Sequence, residues 1–146
     1  MITVRMFAML VASVCIAACS GADSESGVHA ADTEVFDMIG SSETIRLTGT
    51  EPFWGGEVRG DQLRYSTMEN PDGTRILVER FAGNNGLSYS GELGGESFDL
   101  AITPGECSDG MSDRIYPFHA VLAIGEDTRE GCAWSDANAF AEPVQQ

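Results

Sequence analysis

Apolar and polar residues alternate with a period of two in a series of short runs that begins at Glu43. Successive side chains of a β-strand point to opposite faces, so this alternation predicts strands that each carry one apolar face. In the longest run, residues 116–124, every even-numbered residue is apolar and His119 falls on the opposite face. Other runs lie at residues 45–47, 63–65, 75–81, 87–93 and 98–102, with shorter segments at Val58 and 132–134.

Turn-forming residues separate these runs. Gly, Asn, Asp and Pro favour tight turns because they adopt or tolerate the required backbone angles, and they cluster here at residues 60–61, 70–73, 83–86, 94–95 and 125–127. About eight short antiparallel strands, with no convincing helix, predict an all-β single domain. We expect a small closed barrel of lipocalin-like or calycin-like character, or a compact sandwich, since both bury one apolar face per strand.

The N-terminus has the features of an export signal. Arg5 precedes residues 6–18, an uncharged run too short to cross a hydrocarbon core of about 30 Å as a helix. The run leads into residues 16–19 (IAAC), which resemble the lipobox of bacterial lipoproteins. That resemblance implies cleavage before Cys19, acylation of its thiol and, with Ser20 following, a lipid anchor in the outer membrane facing the periplasm. The alternative is an ordinary secretory signal in which Cys19 is incidental.

The expected processing divides the chain into four parts. Residues 1–18 are a lipoprotein signal peptide, and residues 19–41 are an acylated cysteine followed by a flexible tether of small and acidic residues. Residues 42–136 form the barrel-like domain, and residues 137–146 form a C-terminal tail or short helix. Within the tether, residues 35–39 carry a weak apolar patch, interpreted as a helical turn or a first edge segment.

Two cysteines remain after residues 1–18 are removed and Cys19 is acylated. Cys107 and Cys132 are an even pair in an oxidising compartment, which predicts a disulfide bond between them. Closing a loop of about 25 residues should stabilise the fold by about 3 kcal/mol. The alternative, a metal-binding or catalytic thiol, lacks partner residues in the sequence.

The chain is strongly acidic, with 23 Asp and Glu against 8 basic residues, all Arg, and a formal net charge of −15. Loss of Arg5 with the signal makes the mature value −15 − 1 = −16. Such a surface repels phosphate backbones, so no nucleic-acid partner is expected. Two interpretations of the negative charge stay open. It keeps the protein soluble, or it attracts a basic partner protein or cations.

The first of two segments that break the alternation is residues 49–56. Glu51 precedes a proline and is therefore pushed towards an extended conformation. Phe53 and Trp54 follow, before a pair of glycines. One interpretation is a corner at which Trp54 plugs one end of the barrel, and the other is that Glu51, Phe53 and Trp54 contact a ligand or partner.

The second such segment, residues 105–114, is dense in small polar and acidic residues and is not expected inside a strand. Asp109 and Asp113 are of the type that accepts hydrogen bonds from backbone N–H groups in a tight loop or pairs with Arg114. The interpretations are a structured loop, a binding surface or a Ca²⁺ site, although the spacing does not match an EF-hand. The candidate binding residues in this segment are Ser108, Asp109, Met111, Asp113 and Arg114.

These two segments also carry a family resemblance. The stretches GTEPFW (49–54), LRYSTMEN (63–70), CSDGMSDRIYPF (107–118) and GCA (131–133) are similar to the signature of small proteobacterial envelope proteins, often lipoproteins, of unassigned function. That family in turn resembles META-type envelope domains. The resemblance implies a shared fold and compartment and brings no catalytic residues.

The sequence therefore favours a non-enzymatic, lipid-anchored envelope protein that binds a small ligand or a partner, with no cofactor, no metal site and no catalytic residues expected. One alternative is a proteinaceous inhibitor of a basic envelope-directed enzyme such as lysozyme. Residues 87–91 (LSYSG), however, have the wrong order for the Ser-Gly and Tyr signature of such inhibitors. The other alternative is an envelope hydrolase, for which the available residues are His119, Asp109 and Asp113.

Overall fold

A computed structural model describes residues 34–142 of the chain. The expected signal peptide (1–18), the acylated Cys19, the tether up to residue 33 and the last four residues lie outside the described residues. Among residues 34–142, no helix is long and apolar enough to span a membrane.

The described residues form eight antiparallel strands in chain order, each hydrogen-bonded to the next. Their alternation of buried and exposed residues follows the sequence pattern, because one face of each strand is turned inward. The strands are β1 (Thr44–Thr50), β2 (Phe53–Arg59), β3 (Gln62–Thr67), β4 (Thr74–Ala82), β5 (Leu87–Leu93), β6 (Glu96–Ser108), β7 (Ile115–Ile124) and β8 (Asp127–Ser135).

The sheet closes because β1 pairs with both β2 and β8. Thr48, for example, lies opposite Gly55 on β2 and opposite Cys132 on β8. The predicted all-β fold is confirmed, and of the two architectures considered the structure is the barrel. At the β5–β6 turn, Gly94 and Gly95 both have positive φ (64° and 92°), as a tight two-residue hairpin requires.

Side chains fill the inside of the barrel. Phe98, Phe118, Ile102 and Leu122 at its centre are at most 1 % exposed. Such close packing is typical of small barrels, whose interior is just wide enough for side chains. The other inward-facing residues of the core include Ile45, Leu47, Trp54, Val58, Leu63, Tyr65, Ile76, Val78, Leu87, Tyr89, Leu100, Ala120 and Ala133.

The barrel has two different ends. The front end carries the β1–β2, β3–β4, β5–β6 and β7–β8 connections, and the rear end carries the other three connections and both chain termini of the barrel. The segment before β1 closes the rear end: Phe36 and Ile39 are buried in the core, and Phe36 packs edge-on against Phe118 with ring centroids 6.3 Å apart. Backbone and side-chain hydrogen bonds hold this segment, from Phe36 N–H to Gly83 O (2.8 Å) and from Arg80 Nη2 to Ile39 O (3.0 Å).

The packed domain is therefore longer than residues 42–136 at both ends. The boundary expected after residue 41 is too late, because Phe36 and Ile39 belong to the core. The expected tail is also partly packed: Phe140 lies against Trp134 with ring centroids 5.6 Å apart, and Ala141 forms a β-bridge with Ile115. Neither the apolar patch nor the tail is helical within the described residues.

The expectation that residues 105–114 stay outside strands is wrong for the first four of them, since β6 continues to Ser108. A bulge makes this possible: Pro104 lies opposite Phe118 but Cys107 lies opposite Tyr116, so two residues of β6 face one of β7. Beyond the bulge, Cys107–Ser108 and Ile115–Tyr116 form a short two-stranded extension with the loop 109–114 at its tip. We call residues 107–116 the ribbon.

Candidate functional site

The ribbon is fastened to the outer face of β8 by the predicted disulfide. Cys107 and Cys132 are bonded, with Cα atoms 5.6 Å apart and a sequence separation of 25. Their sulfurs lie in a small apolar cluster of their own, separate from the barrel core, in which the rings of Tyr116, Trp134 and Phe140 pack against one another. The ribbon therefore has a fixed position across β8.

Asp109 organises the loop at the tip of the ribbon. Its Oδ1 accepts hydrogen bonds from the N–H groups of Met111 (3.0 Å) and Ser112 (2.7 Å), and its Oδ2 accepts from the hydroxyls of Ser112 (2.8 Å) and Tyr116 (3.0 Å). Desolvation by burial raises the pKa of Asp109, but these four hydrogen bonds together outweigh it and lower the pKa from 3.8 to about 2. The structured-loop interpretation is confirmed for Asp109.

The neighbouring charged residues behave differently. Asp113 is exposed and makes no hydrogen bond or ion pair with another described residue. Arg114 forms its ion pair with Glu142 (3.2 Å) rather than with Asp109 or Asp113. Its guanidinium also lies over the ring of Phe140, 4.4 Å from the ring centroid. Among residues 34–142 no group of three His, Cys, Asp or Glu side chains is arranged to hold a metal ion.

Trp54 is buried inside the front end of the barrel. Its indole Nε1–H donates to the carbonyl oxygen of Glu130 at 3.1 Å, and its ring lies against Gly49 and Gly131. A Cβ atom on Gly49 would overlap the indole, and one on Gly131 would come within 2.9 Å of it. The two glycines thus create the slot for the ring, as the plug interpretation requires.

The two segments singled out in the sequence meet on the outer surface of the barrel. Phe53 on β2 and Met111 on the ribbon line one groove of about 290 Å³, together with Met68 from the β3–β4 connection. All three are exposed, Phe53 to 46 %, Met68 to 71 % and Met111 to 64 %. Small residues form the floor, because the sheet presents Thr48, Gly55 and Ser66 there. We call this the Phe53 groove.

Of the remaining candidate residues, two line a separate cavity and three line neither site. Ser108 and Asp109 line an adjacent cavity of about 480 Å³ under the ribbon, where Thr50 and His119 also lie. Glu51, Asp113 and Arg114 line neither the groove nor this cavity. Met68 was missed in the sequence, although it stands within the stretch LRYSTMEN that carries the family resemblance.

A second hollow, which we call the mouth, opens at the front end. Its volume is about 570 Å³, and Arg129 and Tyr65 lie in it beside Leu93 and Ile124. The Arg129 guanidinium donates through Nη1 to the Tyr65 hydroxyl and through Nη2 to Asp127 at 3.3 Å. Burial raises the pKa of Tyr65, and nearby Arg129 partly offsets that effect. Neither was a candidate site residue in the sequence, because Arg129 lies outside the alternating runs and Tyr65 has an ordinary strand position within the stretch LRYSTMEN.

The structure also places residues that the two alternatives would use. His119 is exposed on the outer face of β7, as its position in the alternation predicted, and Cys107 is in the disulfide and offers no thiol to it. The LSYSG stretch lies in β5 rather than in a loop, and its Tyr89 is only 3 % exposed. A contact of the lysozyme-inhibitor kind through this stretch would need the barrel to open.

Taken together, the fold and the site define a closed antiparallel barrel with a disulfide-fixed ribbon on its outer face. Comparison of the chain with models of protein families, with curated proteins and with solved structures finds no match.

Proposed function

We propose that this protein is a lipid-anchored envelope protein whose barrel binds a basic partner protein through the Phe53 groove. The observation that carries the proposal is the convergence of Phe53, Met68 and Met111, three large apolar side chains from distant parts of the sequence, on one exposed surface. Scattered apolar residues are normal on protein surfaces, but apolar residues gathered in a groove are typical of interaction sites. Met in particular adapts its shape to a partner.

The packed interior supports a protein partner over a ligand held inside the barrel. The central layer of Phe98, Phe118 and Leu122 leaves a bulky ligand no room at this depth. Contacts with a macromolecule are then made on the outer surface, where the Phe53 groove lies. The glycine and small polar residues on its floor leave space for an inserted apolar side chain of the partner.

The charge supports a basic partner. A net charge of −15 attracts a basic protein over a distance and speeds the encounter, while the apolar groove supplies short-range contact. The expected anchor agrees with this use of the surface. The described chain enters the barrel at the rear end, next to Phe36, so the expected tether from Cys19 joins the barrel at the end opposite the front-end connections.

The resemblance of residues 49–133 to the proteobacterial envelope family supports the same compartment, and we propose membership of that family. The proposed location is the periplasmic face of the outer membrane. Inhibition of a basic envelope-directed enzyme is one form that such binding can take, and it is distinguished below by the identity of the partner.

Site-specific photocrosslinking in cells tests the proposal. A photoreactive residue at position 111 of the native chain should give one discrete adduct with a basic envelope protein, and Phe53→Ser with Met68→Ser should abolish it. The matched control is position 77, because Leu77 on β4 is also apolar and 72 % exposed but lies outside the groove. Identical adducts at positions 77 and 111, or none at 111, would refute the proposed groove. An adduct with a lysozyme-like enzyme would favour the inhibitor form.

A further inference from the structure

The mouth at the front end combines a cation with apolar walls. Arg129 lines the hollow, and only 20 % of its side chain is exposed. Leu93, Ile124 and Phe53 supply apolar surface around it. Concave sites with apolar walls and one or two polar groups are the usual form of small-molecule sites, and the mouths of barrels are a common place for them.

The hydrogen bonds of Arg129 are incomplete. The guanidinium has five N–H donors, of which Nη1 is bonded to the Tyr65 hydroxyl and Nη2 has only a 3.3 Å contact with Asp127. Its Nε–H is buried and has no partner among the described residues. Nη2 carries two N–H groups, and its single 3.3 Å contact leaves them weakly bonded and able to donate to an entering carboxylate.

The acidic residues around the mouth bond Nη2 of Arg129 only weakly. Asp127 is 76 % exposed, so an entering anion can replace it at little cost. Glu69 also lines the mouth but forms no ion pair with Arg129. Hydrogen bonds from its own backbone N–H and from Thr67 lower the pKa of Glu69, so its charge is held by other partners.

We propose that the mouth binds a small monocarboxylate with an aliphatic body, with the carboxylate on Nη2 of Arg129 in place of Asp127 and the aliphatic part against Leu93, Ile124 and Phe53. This site is separate from the partner surface in its chemistry, because the Phe53 groove has no cation on its lining. The ligand class follows from the pairing of one incompletely bonded cation with apolar walls. A polyanion is disfavoured because Glu69 and Asp127 stand at the same opening.

Titration calorimetry with octanoate and octanol tests this site, using the mature chain from residue 19 with Cys19→Ser so that no detergent is needed. Octanoate should bind at least tenfold more tightly than octanol, and Arg129→Gln should remove that difference while leaving octanol binding unchanged. Asp127→Asn should tighten octanoate binding several-fold, because it removes the competing carboxylate. The matched control is Arg64→Gln, an exposed arginine on β3 away from the mouth, which should change nothing.

The result that would overturn the proposal is equal affinity for octanoate and octanol, or no octanoate binding up to millimolar concentration. If Arg129→Gln does not fold, the Asp127→Asn variant tests the proposal instead. An octanoate affinity of Asp127→Asn equal to that of the unmodified protein also overturns the proposal. Phe53, Thr67 and Met68 line both sites, but Arg129 and Asp127 are not on the groove. Calorimetry on these variants and crosslinking at position 111 can therefore fail independently.

Discussion

At the scale of single residues, Asp109 shows how one buried carboxylate determines the shape of a loop. Its four hydrogen bonds fix the loop at the tip of the ribbon, from which Met111 projects into the Phe53 groove. The charged form receives all four, so the folded state lowers the pKa of Asp109 from 3.8 to about 2. A depressed pKa of this kind contributes stability above the unfolded pKa that is lost as the pH falls through the folded one.

We therefore expect Asp109→Asn to lower the free energy of unfolding at pH 7 by on the order of 2 kcal/mol. The difference from the unmodified protein should shrink as the pH falls below about 4 and be mostly lost near pH 2, where Asp109 is half protonated in the folded state. Urea denaturation between pH 2 and 7 measures it. Asp113→Asn is the control, since Asp113 is exposed, and it should unfold like the parent throughout. A penalty for Asp109→Asn that does not vary with pH would contradict the linkage.

At the scale of elements, the ribbon is the part of the fold that depends most on a covalent bond. Beyond the bulge its two strands pair with each other and, through Ile115, with Ala141, and the Cys107–Cys132 bond ties them to β8. Replacing both cysteines with Ser should lower the free energy of unfolding by about 3 kcal/mol. Hydrogen exchange of the amides of residues 107–116 should become faster, whereas that of β1 to β5 should not. Uniformly faster exchange along the chain would show that the bond stabilises the barrel as a whole.

The segment before β1 is the second element whose role is set by packing. Phe36 and Ile39 are 7 % and 0 % exposed, while their neighbours Val35 and Met38 are 62 % and 47 % exposed. Changing Phe36 or Ile39 to Ala should therefore lower the free energy of unfolding by about 2–5 kcal/mol. Val35→Ala and Met38→Ala, measured by the same urea titration, should cost less than about 0.5 kcal/mol. Equal costs for all four would mean that the segment does not close the rear end in solution.

The elements also show which parts of the fold a sequence can predict. β7 was predicted within one residue, because its alternation from Tyr116 to Ile124 is uninterrupted and each turn nearby carries glycine. The end of β6 was not, because the bulge before Cys107 changes the register and the residues there are small and polar. Phe36 and Ile39 were assigned to the tether because only the finished rear end of the barrel buries them.

The candidate sites were predictable only in part, for a related reason. Phe53 and Met111 were singled out by local composition, but their meeting depends on the ribbon crossing β8, which no local pattern specifies. Arg129 lies outside the runs that predicted strands, so its incomplete hydrogen bonds become visible only when Tyr65 and Asp127 are placed around it. Contacts between residues that are distant in sequence cannot be predicted from the local patterns of a single sequence.

At the scale of the whole molecule, repulsion between the many acidic residues opposes folding. Whether salt raises or lowers the stability depends on whether this repulsion is larger than the attraction within the ion pairs. The four ion pairs among residues 34–142 each include at least one exposed partner, and such pairs contribute at most about 1 kcal/mol each. The repulsion of a net charge of −15 acts between many more pairs of groups. Screening by salt therefore weakens the repulsion more than it weakens the attraction, and the folded state becomes more stable.

We accordingly expect the melting temperature at pH 7.5 to rise by several degrees when NaCl is raised from about 10 mM to 300 mM, as the Debye length shortens from about 30 Å to below 8 Å. Calorimetric melting measures it, and each kcal/mol gained corresponds to about 4–8 °C in a domain of this size. The control is the same titration at about pH 4, where many carboxylates are protonated and less repulsion is left to screen. An equal rise at both pH values would assign the effect to salt-strengthened burial of apolar surface rather than to charge, and a fall at pH 7.5 would mean that the exposed ion pairs outweigh the repulsion.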